Sequence, residues 1–176
     1  MDRPMPDLAF NGMSFMFKIR DWLFSRRAVL NEAGIQPGDC VLDYGCGPGS
    51  YVPYLAAQVG TEGQVYALDI HPLAIRRVQN LAARRGLDNV ETIQSDCQTG
   101  LPDGSVDVVV LYDILHMLSE RDAVLAELCR VLKPGGVLSI EDPHISQAEI
   151  VRGVTDKGWF RLAHKGARTY SFVPAS

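Results

Sequence analysis

The stretch Val41-Leu42-Asp43-Tyr44-Gly45-Cys46-Gly47-Pro48-Gly49-Ser50 decides how this chain reads. A short apolar run ends in an acid and then in three alternating glycines. Glycine takes positive φ without steric cost and lets a ligand approach the main chain where a Cβ would clash. The residues that follow, Tyr51 to Val59, read as a helix. Its first N–H groups lack intrahelical partners and make a seat for a carboxylate or phosphate. The turn therefore predicts a ligand with an anionic end.

Spacing narrows the ligand. The dinucleotide fingerprint is G-x-G-x-x-G, and counting from Gly45 and Gly47 its third glycine falls on Ser50. The pattern here is Asp43-x-Gly45-x-Gly47-x-Gly49, with the acid before the glycines. That suits a ligand carrying a positive amino group beside its carboxylate, as S-adenosylmethionine (SAM) does.

From Asp39 onward, short β-rich runs alternate with helical ones, the signature of a parallel sheet covered on both faces. The strands are expected at Cys40–Tyr44, Gln64–Asp69, Val90–Gln94, Val106–Leu111 and Val137–Glu141. Pro72 to Arg85 places Ile75, Val78, Leu81 and Ala82 on one stripe, and Glu120 to Leu132 does the same with Val124, Leu125, Leu128 and Val131. The tail differs. Trp159 to His164 and Arg168 to Val173 are extended runs joined by Lys165-Gly166-Ala167, which reads as a β-hairpin.

Ahead of this unit, residues 1 to 12 read as loose, and Met13 to Phe24 as a helix rich in aromatics and methionine. Residues 1–36 form an N-terminal helical lid or docking segment in this reading, and 37–176 the main domain. The mixture of Phe15, Phe17, Trp22 and Phe24 with Lys18, Arg20, Arg26 and Arg27 also fits peripheral contact with a membrane surface. No apolar run reaches transmembrane length, and the N-terminal region, which carries Asp2, Asp7 and Asp21 and lacks a long apolar core, does not read as a signal peptide.

The formal charge of −4 gives no general reason to bind nucleic acid. Arg76, Arg77, Arg84 and Arg85 read as a solvated helical face. Cys40, Cys46, Cys97 and Cys129 show no paired framework, so reduced thiols in a cytoplasmic setting are expected. His71, His116, His144 and His164 are scattered without ligand spacing such as H-E-x-x-H, so no metal is assigned.

In order and spacing the motifs resemble the class I SAM-dependent methyltransferases, over about residues 37 to 173. The matching pieces are Val41 to Gly49, Asp69 closing Tyr66-Ala67-Leu68-Asp69-Ile70, Ser95-Asp96-Cys97, Val106 to His116, and Leu132-Lys133-Pro134-Gly135-Gly136. Leu115-His116-Met117-Leu118 and the L-K-P-G-G segment are similar to methyltransferases of the type 11, ubiquinone and menaquinone biosynthesis kind. The resemblance implies an α/β fold, a Rossmann-like doubly wound sheet of seven strands in the order 3-2-1-4-5-7-6 with the last strand antiparallel.

The resemblance also implies site residues. Asp43 and the backbone of Tyr44, Gly45, Cys46, Gly47 and Gly49 should hold the methionine end of SAM, with N–H groups toward its carboxylate. Asp69, followed by Ile70, should take the ribose hydroxyls, Asp96 and Cys97 should lie beside the adenine, and Tyr112 should wall the sulfonium. An acid at a strand end also caps helices, and Asp96 equally suits a turn. His116 is the candidate general base, through Asp113-x-x-His116; a histidine capping the next helix is the competing reading. His144, in Asp142-Pro143-His144, falls at the same rim as either a substrate contact or a turn residue.

Position 111–114 reads Leu-Tyr-Asp-Ile, with no Asn/Asp-Pro-Pro-Tyr of amino-methylating DNA enzymes, and no Pro-Cys nucleophile is present. A small-molecule acceptor fits best, methylated by in-line displacement. A SAM-binding protein that acts only through a partner is the alternative, and a nucleotide-dependent oxidoreductase is disfavoured by the glycine spacing.

Overall fold

The computed structural model describes residues 4, 6–12 and 26–175. The expected lid helix at 13–24 lies outside the described residues. Residues 7–12 form a short helix, α1, where the sequence reads as loose. Then follow α2 (Arg26–Asn31), β1 (Cys40–Tyr44), α3 (Val52–Val59), β2 (Gln64–Asp69), α4 (Pro72–Arg85), β3 (Val90–Gln94) and β4 (Val106–Tyr112). The chain continues through a 3-10 turn (Leu115–Met117), α5 (Arg121–Val131), β5 (Leu132–Glu141), α6 (Gln147–Thr155), β6 (Phe160–Lys165) and β7 (Tyr170–Pro174).

The seven strands lie in the order 3-2-1-4-5-7-6. Strands β1 to β5 pair in parallel, and β7 runs antiparallel between β5 and β6. Successive residues of the inner strands point to opposite faces, and both faces are covered, so these strands read as continuous apolar runs. Leu42, Leu111 and Leu138 pack with Val124, Leu125 and Leu128 of α5 and Ile150 and Val154 of α6. Val41, Val65, Val108 and Val110 pack with Val29 and Leu30 of α2 and Leu55 and Val59 of α3 on the other side.

Two further elements depart from the sequence reading. Helix α6 has no counterpart in it, although Ser146 and Glu149 form a reciprocal capping box at its start. Strand β5 begins at Leu132 rather than Val137, because Leu132 pairs with Val106 while Val137 pairs with Val108. The intervening Lys133-Pro134-Gly135-Gly136 bulges out of the ladder, where a proline costs no cross-strand hydrogen bond.

The parallel register sets Tyr112 beside Glu141 and Asp69 beside Gln94. The loops leaving β1 to β5 at their carboxyl ends therefore converge on one edge of the sheet, the edge where doubly wound folds bind ligands.

Candidate functional site

A cavity of about 350 Å³ opens at that edge. Its floor is the turn after β1, where Gly45, Gly47 and Gly49 have φ of +78°, +52° and +85°. A Cβ on Gly45 would come within 2.9 Å of the Ile114 side chain, so the turn can sit against the loop after β4 only as glycine. Gly49 lies outside the cavity lining. A Cβ there would meet Val78 at 3.0 Å and Leu81 at 3.3 Å, so its requirement is packing against α4.

The turn's own N–H groups are directed inward. Gly45 and Cys46 donate to the Leu68 carbonyl at 2.8 and 2.9 Å, Gly47 donates to Asp69 Oδ2 at 2.9 Å, and Gly49 donates to the Cys46 carbonyl. The expectation that this backbone presents N–H groups to a carboxylate is corrected at these four positions, because neighbouring β2 satisfies three of them. At the start of α3, the seat expected for an anionic end, Tyr51 supplies no side-chain cap and Ser50 lines the cavity.

Asp43, one residue before the end of β1, is 2% exposed, and its Oδ2 has no hydrogen-bond partner. Burial pushes its carboxyl up to about 7, and the nearby Asp69 carboxylate adds to the effect. Asp69 is also raised, by burial first, although N–H groups of His71 and Gly47 partly offset this. Its Oδ1 accepts from His71 N–H at 2.7 Å, so both oxygens are anchored yet retain lone pairs. Two acids converging on one cavity, one with an orphaned oxygen, form a site for a cationic group.

The remaining expected residues fall around this pair. Tyr44, Cys46, Ile70 and Asp96 line the cavity, and the Tyr44 hydroxyl donates to the Asp96 carbonyl at 3.2 Å. Tyr112 lines it too, its hydroxyl 2.9 Å from Ser139 Oγ and its ring edge-on to Tyr51 at 5.1 Å. Cys97 is outside the lining and packs against the main core. Burial raises the Cys46 thiol well above its usual range, so it remains a neutral packing group.

Phe10 is a site residue that the sequence reading passes over. It is 1% exposed, lines the cavity, and stacks on His71 with ring centroids 4.3 Å apart. The Arg77 guanidinium lies over the Phe10 ring, 5.0 Å from its centroid, and donates to Asn11. A lone aromatic in a proline-punctuated segment carries no periodic signal, so only the tertiary contact reveals it.

The outer rim brings two of the four scattered histidines together. The His116 and His144 rings lie 4.4 Å apart. His116 Nδ1 contacts Asp142 at 2.9 Å, and Asp113, which lies at the same edge as expected, pairs with His144 Nε2 at 3.0 Å. Asp113, His116 and His144 each offer a ligand atom within 4.8 Å of the others, a convergence that the sequence spacing hides. Ile114, Met117 and Leu118 complete an apolar wall beside them. His71 caps α4 through Nδ1, and His164 is exposed on β6.

Comparison with known proteins agrees with this geometry. A ubiquinone/menaquinone biosynthesis C-methyltransferase UbiE of Marinomonas sp. (strain MWYL1) is 29% identical over 160 residues, covering 90% of this chain and 61% of that protein. A demethylmenaquinone methyltransferase of Geobacillus stearothermophilus is 33% identical over 129 residues, covering 73% and 55%. The chain thus spans a little over half the length of these curated relatives. The crystal structure of a SAM dependent methyltransferase from Aquifex aeolicus superposes with a TM-score of 0.78 at 34% identity, covering 87% of this chain and 90% of that one. Residues 35–165 match the methyltransferase domain, and the chain belongs to that family.

Proposed function

We propose that the protein binds SAM in the cavity above the glycine turn and transfers its methyl group to a small-molecule acceptor. The carrying observation is Asp43: a buried carboxylate oxygen without a partner is costly unless a cation meets it, and the ligand's α-ammonium is such a cation. The uncapped start of α3 suits the ligand's carboxylate. Asp69 accepts the ribose hydroxyls through its remaining lone pairs, and Ile70 and Asp96 border the adenine.

SAM supplies a methyl group already bonded to a good leaving group. The protein's task is then to align the acceptor and exclude water, and alignment alone is worth about 7–11 kcal/mol in favourable cases. Tyr112 walls the reacting centre, the apolar Ile114, Met117 and Leu118 receive the acceptor, and His116 takes the acceptor's proton. In the N-terminal segment, α1 serves as cover for the site, a reading supported by Phe10 stacked at the cavity wall. The four free cysteines suit a reducing, cytoplasmic setting, and no described helix is long and apolar enough to cross a membrane.

The relatives' names, the demethylmenaquinone enzyme among them, suggest a reduced quinone as the first acceptor to try. Incubation with SAM and a short-chain demethylnaphthoquinol should yield S-adenosylhomocysteine and a methylated product. Tight SAM binding without turnover across phenols, amines, thiols and carboxylates would instead support a partner-dependent SAM-binding protein.

A further inference from the structure

The loop after β5 packs against the loop after β4 because Glu141 and Tyr112 are register partners at the ends of neighbouring parallel strands. This places Asp142 directly behind His116. The Asp142 side chain is fully buried, and it receives His116 Nδ1 at 2.9 Å on Oδ2 and 3.1 Å on Oδ1. It also accepts the backbone N–H of His116 at 3.0 Å and that of His144 at 3.1 Å. Backbone and ring of His116 are thus clamped by one carboxylate.

Resting on the methyl-transfer reading, we propose that Asp142 is a positioning residue that makes His116 a general base, and that the acceptor is a phenol or enol arriving protonated. A carboxylate only accepts hydrogen bonds, so the ring proton must sit on Nδ1, and the lone pair is left on Nε2. With Nδ1 turned to the buried acid, Nε2 is the ring nitrogen left for the acceptor, and His116 lines the cavity with 26% of its side chain exposed.

The step balances. The acceptor's O–H bond breaks and its proton goes to Nε2. The released electron pair, on oxygen or delocalised to the conjugated carbon, forms the bond to the methyl carbon. The methyl–sulfur bond breaks, with its pair returning to sulfur. For carbon attack, the methylated carbon then loses its own proton to water and the carbonyl oxygen takes one back from His116 Nε2, so the phenol or enol is restored with one net proton released. Aliphatic amines do not match this rim, whose walls are apolar and whose carboxylates already hold His116 and His144.

The charged and titratable groups facing His116 are Asp142 from the β5 loop, His144 from the same loop and Asp113 from its own. Asp113 holds a left-handed backbone at φ +60° and donates its N–H to the Glu141 carbonyl at 2.7 Å. That conformation costs a non-glycine residue energy and directs Asp113 toward His144, whose side chain is 57% exposed. His144 and Asp113 thus form a second carboxylate–imidazole pair on the solvent side of the first, a route by which the proton reaches water.

The test uses the whole protein labelled with nitrogen-15 at histidine, and the demethylnaphthoquinol and a panel of phenols, amines and thiols as acceptors. Long-range proton–nitrogen spectra should show His116 with the proton on Nδ1, and Asp142→Asn should remove that preference. In the same variant kcat should fall about 100-fold or more, with the S-adenosylhomocysteine dissociation constant within about twofold of wild type and the kcat/KM–pH profile altered. His116→Gln should match that loss, and the double variant should add little to it. An Nε2–H tautomer, or Asp142→Asn turnover near wild type, overturns the dyad. Turnover of amines or thiols but of no phenol or enol overturns the acceptor class while leaving methyl transfer standing, and no turnover of any acceptor removes both. Loss of turnover on chelation, restored by a divalent cation, would make Asp113, His116 and His144 metal ligands and also overturn the dyad.

Discussion

Removing the partnerless charge at Asp43 should separate what the residue does for the fold from what it does for the ligand. In the free protein its carboxyl is held near 7 by burial and by Asp69, whereas in the unfolded chain it titrates near the ordinary value of about 3.9. Between these values the native state holds a proton that the unfolded state has released, so stability falls as pH rises from about 4 to about 7, by up to about 1.4 kcal/mol per unit. A ligand ammonium reverses the preference, because it pairs only with the ionised acid. If only the ionised form binds, S-adenosylhomocysteine should bind about tenfold more weakly at pH 6 than at pH 8, and about thirtyfold more weakly at pH 5.5. Isothermal calorimetry in two buffers of different ionisation enthalpy should record close to one proton released per ligand at pH 6. Asp43→Asn should abolish that release and weaken binding at pH 8 by about 10- to 150-fold, from the loss of about 1.5–3 kcal/mol of charge-assisted hydrogen bonding. It should also raise the melting temperature of the free protein, since an uncompensated buried acid is gone. A dissociation constant flat from pH 5.5 to 8, with no proton released, would refute this reasoning.

Other perturbations test the frame around the acid. Phe10→Ala should weaken S-adenosylhomocysteine binding several-fold by calorimetry while moving the melting temperature little, because Phe10 contacts the cavity from outside the main core. Gly45→Ala must relieve both a φ of +78° and a 2.9 Å approach to Ile114, and should cost about 1–3 kcal/mol in denaturant unfolding. Glu32 ties α2 to the terminal hairpin, its Oε2 accepting from Arg168 N–H, Thr169 N–H and the Thr169 hydroxyl at 3.1, 3.0 and 2.8 Å. Burial tends to raise its carboxyl, but those bonds outweigh it and hold the group below the usual range. Its contribution is therefore present at neutral pH and lost as pH falls through its lowered folded-state value. Glu32→Ala should lower stability by about 1 kcal/mol at pH 7 and by much less in acid.

Much of the sheet is legible in the sequence. Strands β1, β2 and β3 fall at the residues expected: β1 and β2 are largely buried apolar runs, and the edge strand β3 is a short β-rich run between polar turns. Helix α6 escaped because it spans only Gln147–Thr155, with Ile150 and Val154 as its two buried residues and Gly153 inside, so its apolar stripe is too short to register. Its legible signal was the Ser146-x-x-Glu149 box. The start of β5 escaped because Pro134 and the two glycines read as a turn, whereas the ladder resumes on either side of the bulge they form.

At the site, the glycine turn and the acids after β1 and β2 could be read directly, since each lies within or at the end of a strand whose neighbour fixes its position. The pairing at the rim could not. Asp113 lies three residues before His116, but the β4–β5 register brings Asp142 to that histidine from 26 residues away, and Asp113 turns to His144. Sequence spacing records neighbours along one element, whereas this arrangement is a property of two adjacent loops. The inward hydrogen bonds of Gly45, Cys46 and Gly47 escaped for the same reason, being made to β2 rather than to their own turn.

The most direct measurement is a crystal structure with S-adenosylhomocysteine bound. The account predicts the ligand's α-ammonium at hydrogen-bond distance from Asp43 Oδ2, its carboxylate at the start of α3, and its ribose hydroxyls on Asp69. A ligand seated elsewhere, or one leaving Asp43 Oδ2 without a cationic partner, would contradict it.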